Sequence, residues 1–113
     1  MVKGYRKYKA KPVEIDGIRF DSRKEGVRYI HLKAEEQAGI IQNLRLQVPY
    51  ELIPAQHDAG GKCIERAVKY KADFVYSKNG ELIVEDTKGF KTPEYIIKRK
   101  LMLYKFGIRI NEV

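Results

Sequence analysis

The stretch of sequence from residue 68 to residue 88 reads VKYKADFVYSKNGELIVEDTK. Two runs rich in β-branched and aromatic residues flank Asn79-Gly80, the dipeptide most typical of a two-residue hairpin turn. A hairpin closed by this turn places Asp73 directly opposite Asp86, with Cβ atoms about 4.5–5.5 Å apart, where like charges destabilise a sheet. Asp86 and Lys88 share a face because strand side chains alternate. The stretch therefore predicts two neighbouring carboxylates with a lysine beside them.

Two opposed carboxylates of this kind favour a divalent cation. A hard cation such as Mg²⁺ takes oxygen ligands and keeps waters or phosphate oxygens in its shell, so it would relieve the repulsion between Asp73 and Asp86. The alternative is that both acids are solvated on an exposed sheet face, balanced by Lys69, Lys71 and Lys88. The spacing favours the cation, provided that no bulge shifts the pairing of the two strands.

The residues before this hairpin predict a second hairpin and a helix. Asp16-Gly17 is a two-residue turn within residues 13–20 and pairs apolar with apolar and acid with base across the hairpin. Ser22 and Glu25 form a capping box for a helix over residues 23–38. The helical spacing of its apolar residues predicts four inward positions, which are Val27, Ile30, Ala34 and Ala38.

Three further elements complete the predicted fold. Residues 44–52 alternate apolar and polar side chains and form a strand, and residues 54–62 form a loop. Thr92-Pro93 is typical of a helix start, which predicts a helix over 94–106 and a short strand over 108–110. The helix positions predicted to face inward are Ile97, Leu101 and Tyr104. The order of elements indicates an α/β fold with a central mixed β-sheet flanked by helices.

Length and cysteine content narrow the class of protein. The chain has 113 residues, which indicates one domain over 1–113, with a basic N-terminal arm over 1–11. Cys63 is the one cysteine, which excludes an internal disulfide and a multi-cysteine zinc site and favours a reducing compartment. No apolar run approaches the roughly 18 residues of a membrane span, so we expect no membrane partner.

Positive charge is concentrated in two segments. The chain holds 23 Lys and Arg against 15 Asp and Glu, a net charge of +8; residues 1–11 carry five cations and no acid, and residues 88–105 carry six cations and one acid. Two basic segments on a nearly neutral body are typical of a protein that binds nucleic acid, although the arm alone could be a solvated, flexible segment. The residues expected to contact DNA are Lys3, Arg6, Lys7, Lys9, Lys91, Lys98, Arg99 and Lys105.

Asp73, followed after twelve residues by Asp86-Thr87-Lys88, resembles the PD-(D/E)xK nuclease signature. Ala72 stands where the signature has proline. These nucleases share a helix that carries an acid, then a strand meander that carries the signature, then a second helix. The chain has this order, with Glu25 on its first helix, so the resemblance implies a restriction-endonuclease-like core.

Four longer stretches are similar to a family of small phage and prophage proteins related to phage Holliday-junction-resolving endonucleases. The resemblance extends over nearly the whole chain after residue 7. They read FDSRKE at 20–25, QVPYEL at 47–52, YKADFVY at 70–76 and VEDTKGFKTPEY at 84–95. The resemblance implies a phage or prophage origin and the cytoplasm of a bacterial host as the location.

The resemblance also implies a role for each site residue. Asp73 and Asp86 match the metal-binding acids, and Thr87 would add its main-chain carbonyl as a ligand. Lys88 matches the lysine that orients or activates the attacking water. Glu25 matches the helix acid that binds or tunes the metal, a role compatible with its place in the capping box. The metal implied is Mg²⁺, and Mn²⁺ is expected to substitute for it.

The function expected from these residues is Mg²⁺-dependent endonuclease activity on branched DNA. A Holliday junction resolvase acts as a homodimer, because two symmetric cuts need two identical sites. The rivals are a flap or linear-duplex endonuclease of the same fold and a non-catalytic DNA-binding module. The intact set of acids and lysine favours an enzyme, since binding alone needs no acid facing a phosphate. Gln47, on the polar side of its strand, either borders the site or is an ordinary surface residue.

Overall fold

The computed structural model of the chain describes residues 11–113. The helices and strands are β1 (Val13–Ile15), β2 (Ile18–Phe20), α1 (Arg23–Gln37), β3 (Gln42–Ile53), β4 (Gln56–His57), β5 (Cys63–Glu65), β6 (Val68–Lys78), β7 (Glu81–Asp86), α2 (Pro93–Phe106) and β8 (Asn111–Glu112). Strands β3, β6, β7 and β8 form the central sheet in that order. The contacts between β3, β6 and β7 are antiparallel, whereas β7 and β8 are parallel. The predicted α/β class with a mixed sheet and two helices is confirmed.

Both predicted hairpin turns are confirmed. Asp16-Gly17 closes β1 and β2, and Asn79-Gly80 closes β6 and β7; all four residues have positive φ, as a type I′ turn requires. The turn fixes the register of β6 against β7, and Phe74 pairs with Glu85 as expected.

Two apolar clusters lie on opposite faces of the central sheet. One gathers around α1 and includes Tyr29, Leu32 and Phe74. The other gathers around α2 and includes Met102 and Val75. Because the neighbouring residues 74 and 75 point to different clusters, β6 contributes side chains to both cores.

The inward-facing positions predicted for the two helices are wrong except for Leu101, which is half-buried and packs against the α2 cluster. On α1 the four predicted positions are all exposed, namely Val27, Ile30, Ala34 and Ala38. The side chains buried there instead are Glu25, Gly26, Tyr29 and Leu32. On α2 the side chains of Ile97 and Tyr104 are 59% and 89% exposed, whereas Tyr95 and Met102 are buried. Helix α1 therefore turns a more polar side towards the sheet than its apolar spacing indicates, whereas α2 turns a different apolar side towards it.

The C-terminal strand begins later than predicted. Gly107 ends α2 in a left-handed conformation, and the N–H of Ile108 then donates to the carbonyl of Met102. Ile110 is buried in the α2 cluster. Residues 108–110 thus complete the helix cap and the core, and pairing with β7 starts only at Asn111.

The segment predicted as a loop over 54–62 contains β4, which pairs with β5 in a small separate sheet. Of the predicted basic arm, residues 1–10 lie outside the described residues. Within residues 11–113, no helix is both long enough and apolar enough to cross a bilayer.

Candidate active site

Strand β3 changes the face it presents to the helices at Gln47. Leu46 packs with the α1 cluster, whereas Val48 packs with the α2 cluster. In a regular strand these two side chains would share a face, because residues i and i+2 point the same way. Gln47 between them has a φ of 53°, which is the left-handed region that glutamine rarely adopts.

Strand β6 makes the matching change at Asp73. Ala72 belongs to the α2 cluster and Phe74 to the α1 cluster. The pairing of β3 with β6 keeps one register on both sides of this point, so Gln47 and Asp73 lie opposite each other. Both strands therefore change the faces on which their side chains pack at the same point. Their polar residues, Gln47 and Asp73, meet there, and this point is called the crossing below.

The side-chain amide of Gln47 joins two acids. Its Nε2 donates a hydrogen bond of 2.7 Å to Oε2 of Glu25 and lies 3.5 Å from Oδ1 of Asp73. Helix α1 supplies Glu25 and the central sheet supplies Asp73, so the amide connects the helix acid to the strand acid. Gln47 therefore borders the predicted site residues, which is the first of the two alternatives expected for it.

Asp73 also fastens the end of β7. Its Oδ2 accepts hydrogen bonds of 2.9 Å from the N–H of Thr87 and 2.8 Å from the hydroxyl of Thr87. This places Thr87, a predicted ligand through its carbonyl, directly beside Asp73. Within residues 11–113, Oδ1 of Asp73 has only the long contact with Gln47 described above, so it is the more available oxygen.

Asp86 ends β7 and is 2% exposed. Its Oδ2 accepts a hydrogen bond of 2.6 Å from the hydroxyl of Tyr70. Its Oδ1 is also buried and has no hydrogen-bond partner among the described residues. Burial raises the pKa of Asp86, and the charge of Asp73 raises it further, against the lowering effects of Tyr70 and Lys88. A buried carboxylate oxygen without a partner carries a desolvation cost that a bound cation would offset.

Glu25 lies in the first turn of α1 and is 5% exposed. Its N–H donates to the hydroxyl of Ser22, 3.1 Å away, so the cap of the helix is confirmed. Its carboxylate accepts from Gln47, which separates the backbone role of this residue in the cap from its side-chain role in the site. Burial, followed by the charges of Asp73 and Asp21, raises the pKa of Glu25 to about 7.

Lys88 follows the two acids on the exposed side of the site. Its Nζ lies 5.1 Å from the ring centroid of Tyr95, a cation–π distance. The two residues line a cleft of about 250 Å³ at the start of α2, together with Tyr70, Lys71, Thr92, Glu94 and Lys98. Tyr70 connects this cleft to Asp86, since its hydroxyl is bound to that carboxylate.

A buried ion pair holds α1 against β7 beneath the site. Arg28 donates from Nε and Nη2 to the two carboxylate oxygens of Glu85, at 2.8 and 2.7 Å. The hydroxyl of Tyr76 donates to the same carboxylate. Glu85 is fully buried, and a bidentate arginine is the geometry that compensates a buried carboxylate best. The pair fixes the position of α1 and, through it, that of Glu25.

The three acids act on one another, although they do not form a ready-made cluster. Both Asp73 and Asp86 raise the pKa of Glu25. Within residues 11–113, no group of three or more His, Cys, Asp or Glu side chains is arranged closely enough to hold a metal ion as it stands. Thr87 occupies one carboxylate oxygen of Asp73, and Gln47 occupies one of Glu25.

A family model described as "Protein of unknown function (DUF1064)" matches residues 5–111. The chain belongs to this family. No curated protein and no solved structure matches it. The family match spans Glu25, Gln47, Asp73, Asp86 and Lys88, so every described site residue lies within the family domain.

The cations predicted to contact DNA on the second half of this DUF1064 domain have partners within the chain. Glu112 pairs with Arg99 at 3.0 Å and with Lys91 at 3.8 Å, and Glu94 pairs with Lys98 at 3.1 Å. Lys105 donates to the main-chain carbonyl of Glu51 at 2.9 Å. Lys105 therefore connects α2 to β3. The positive charges of Lys91, Lys98 and Arg99 are partly neutralised by the glutamates with which they pair. Four predicted contacts, Lys3, Arg6, Lys7 and Lys9, lie outside the described residues.

Sequence reasoning missed Tyr70 and Tyr95 as site residues. Tyr70 binds Asp86, and Tyr95 lies under Lys88 and donates to Glu112 at 2.6 Å. The signal that could have found Tyr95 is the helix start at Thr92, which places the third residue after it on the first turn next to Lys88. Tyr70 had no such signal, because its contact with Asp86 depends on how the sheet packs.

Proposed function

We propose that the chain is a Mg²⁺-dependent endonuclease that cuts branched DNA. The observation that carries the proposal is the buried Oδ1 of Asp86, which has no hydrogen-bond partner among the described residues and belongs to a carboxylate that interacts electrostatically with Asp73 and Glu25. A solvated surface acid would need no such burial. A cation offsets both the desolvation of Asp86 and the repulsion among the three acids.

The donor atoms suit a hard cation. Asp73 and Asp86, with the main-chain carbonyl of Thr87, would hold Mg²⁺, and Glu25 would act as a further ligand or tune the charge of the site. All these donors are oxygen, which Mg²⁺ and Mn²⁺ accept. When bound, the ion lowers the pKa of water and stabilises negative charge on a phosphate.

Lys88 provides the remaining chemistry from the exposed side. Its ammonium group orients the attacking water and stabilises the charge that builds up on the phosphate oxygens. The ring of Tyr95 holds the ammonium in place from below. Because the group is exposed, it can reach a phosphate that docks in the cleft.

Phosphates on either side of the cut bond would lie along the same cleft. Lys71 and Lys98 line it together with Lys88. Lysines bind phosphate as point charges and carry no sequence information. The cleft therefore supports selection by DNA shape, with the basic arm over 1–11 adding further phosphate contacts.

The finer parts of the proposal concern substrate, assembly and source. The similarity to phage resolvases favours four-way junctions, and a two-fold homodimer would give the two symmetric cuts that such junctions require. A phage or prophage protein that cuts DNA would act in the cytoplasm of its bacterial host. Flap and linear-duplex cleavage remain alternatives of the same chemistry.

One observation favours a non-catalytic DNA-binding module as second candidate. Oδ2 of Asp73 is already occupied by two hydrogen bonds from Thr87, and the described acids do not cluster as a preformed metal site. If Asp73 serves only to fasten Thr87, its carboxylate is structural. In that case DNA binding would need no divalent cation.

The deciding experiment compares cleavage of four-way, flap and linear DNA of matched sequence with Mg²⁺, with Mn²⁺ and with EDTA. We expect metal-dependent cuts in the four-way junction and slower cuts in the others. The Asp86→Asn variant controls for a contaminating nuclease. Binding of all three substrates without any cleavage in either metal would establish the non-catalytic module instead.

A further inference from the structure

Gln47 has a left-handed backbone conformation that is rare for glutamine. Four non-glycine residues have positive φ within residues 11–113, and three of them are Asp16, Asn43 and Asn79. Short Asp and Asn side chains tolerate the left-handed region, whereas glutamine does not favour it. Gln47 is thus the exception among them. It lies in the interior of the twelve-residue strand β3, and strained residues of this kind concentrate at functional sites.

The conformation determines where the amide goes. With regular geometry at residue 47, Leu46 and Val48 would lie on one face of the sheet; instead they pack on opposite faces. Gln47 at the crossing belongs to neither cluster. Its Nε2 reaches Oε2 of Glu25 at 2.7 Å and lies 3.5 Å from Oδ1 of Asp73. One donor group is thereby inserted between two acids that repel each other.

We propose that Gln47 is a positioning residue for the cation site. Its amide holds the carboxylate of Glu25 next to that of Asp73 before a cation binds, so less of the binding energy is used to bring the acids together. This inference rests on the proposed function, because it needs a cation that binds these acids. Groups that orient ligands without touching the metal typically change metal affinity about 10–100-fold when removed.

Two substitutions at Gln47 separate the amide from the backbone strain. Gln47→Gly removes the amide and suits the positive φ. Gln47→Met removes the amide at nearly constant length and leaves the strain. Asn43→Gly is the matched control, since Asn43 has a φ of 57° in the same strand and no described contact with the site.

The measurement is Mn²⁺ affinity of the full chain, from the free Mn²⁺ signal in electron paramagnetic resonance, with thermal unfolding in EDTA as the second readout. We expect both Gln47 variants to bind Mn²⁺ about tenfold more weakly and Asn43→Gly to bind it as the wild type does. The Gly variant should keep or raise the thermal midpoint in EDTA. In cleavage assays, excess Mg²⁺ should restore most of the rate of both Gln47 variants.

Equal Mn²⁺ affinity of the wild type and both Gln47 variants would overturn the inference. A loss of affinity only in Gln47→Met would also overturn it, because backbone strain and not the amide would then be responsible. The proposed function can fail separately: a wild type that binds Mn²⁺ but cuts no DNA refutes the enzyme and leaves the positioning result intact. A wild type that binds no Mn²⁺ refutes both.

Discussion

At the scale of single residues, the ionised forms of a few buried acids are electrostatically unfavourable in the metal-free protein. Asp86 has one oxygen bound to Tyr70, and the other has no partner within residues 11–113. Glu25 is also buried, and burial together with the charge of Asp73 raises its pKa to about 7. Substitutions that remove one of these charges should therefore affect stability and activity in opposite directions.

Asp86→Asn should abolish cleavage while the fold survives. The change removes one buried charge and keeps the shape of the side chain, so the thermal midpoint in EDTA should hold or rise. DNA affinity without metal should also hold or rise, because a negative charge near the phosphate is gone. Cleavage at fixed Mg²⁺ should fall by orders of magnitude. A variant that cuts at the wild-type rate would show that Asp86 has only a structural role.

Lys88→Ala should share the loss of cleavage but change binding the other way. Lys88 is exposed and would contact phosphate in the proposed complex, so metal-free DNA binding should weaken slightly. Fluorescence anisotropy with labelled junction DNA in EDTA measures both variants side by side. Identical shifts in affinity for Asp86→Asn and Lys88→Ala would contradict the placement of the two charges on either side of a phosphate.

Glu25→Gln should stabilise the metal-free protein at high pH. The pKa of Glu25 is about 7 in the folded chain against an ordinary value of 4.5, so the folded state holds the proton more tightly. Stability from this group is present below pH 4.5 and is lost as pH rises to 7. The variant should thus gain about 1–2 kcal/mol at pH 8 and little at pH 5, after allowance for solvent screening.

Urea unfolding in EDTA at the two pH values measures this difference. The same comparison in saturating Mg²⁺ is the control, since a bound cation should reduce or reverse the gain. An equal free energy of unfolding for wild type and variant at pH 8 would show that Glu25 carries no electrostatic cost in the fold.

Part of the site could be predicted from the sequence and part could not, for identifiable reasons. Asp73 and Asp86 were predictable on neighbouring strands because Asn79-Gly80 fixes the register of their hairpin. The contacts of Gln47 depend on a backbone conformation that no pattern of residues announces. The contact of Tyr70 with Asp86 depends on packing across the sheet.

At the scale of elements, α1 is positioned by close contact with the first hairpin as well as by its ion pair. Gly26 faces β1, and a methyl group added there would lie 2.7 Å from Cγ2 of Val13 and 2.9 Å from Cδ1 of Ile15. Such approaches are well below van der Waals contact, so a larger residue must displace these two side chains or move the helix away from the hairpin. Glu25, the preceding residue, would move with the helix.

Gly26→Ala should therefore destabilise the fold despite the better helix propensity of alanine. The gain in propensity is up to about 1 kcal/mol, whereas overpacking typically costs about 1–3 kcal/mol, so we expect a net loss on the order of 1 kcal/mol. Urea midpoints at constant m-value test it. Adding Val13→Ala to Gly26→Ala should recover part of the Gly26 effect, and full additivity of the two losses would contradict the contact.

The same helix shows why apolar spacing misleads at this scale. The buried positions of α1 are an acid, a glycine, a tyrosine and a leucine, spaced as a helix face but not all apolar. Glu25 accepts a hydrogen bond from Gln47 there, and Gly26 allows the close approach to β1. Hydrophobic periodicity selects the more apolar side of a helix, whereas hydrogen bonding and close packing place the other side of α1 against the sheet. The helix itself was predictable, because Ser22 caps its N-terminus and Gly39 follows its C-terminal end.

At the scale of the whole molecule, charge is the feature that most affects DNA binding. The net charge is +8, yet Lys91, Lys98 and Arg99 are partly neutralised by Glu94 and Glu112. The basic arm over 1–11 contains no acid. We therefore expect the arm to provide a larger share of the phosphate contacts than α2.

DNA affinity should fall steeply with salt, with a log–log slope of about −0.9 per phosphate contact. Deletion of residues 1–9 should flatten the slope, and Lys91→Ala should change it less. Anisotropy titrations at several KCl concentrations measure all three proteins. An unchanged slope after the deletion would leave the arm without a role in DNA binding.

Assembly is the second prediction at this scale. A homodimer is expected because a junction requires two symmetric cuts. Sedimentation velocity at micromolar concentration, with and without junction DNA, measures the oligomeric state. A monomer under both conditions would count against paired cutting and in favour of flap or linear-duplex cleavage.

Because β3 and β6 change faces at the crossing, each of these strands contributes side chains to both apolar cores. Residues before Gln47 on β3 serve the core of α1 and those after it serve the core of α2. Because both strands belong to both cores, we expect a relative motion of the two cores to twist the strands where their side chains change faces. Gln47 and Asp73 lie at that point, so we expect such a motion to alter the spacing of the site acids.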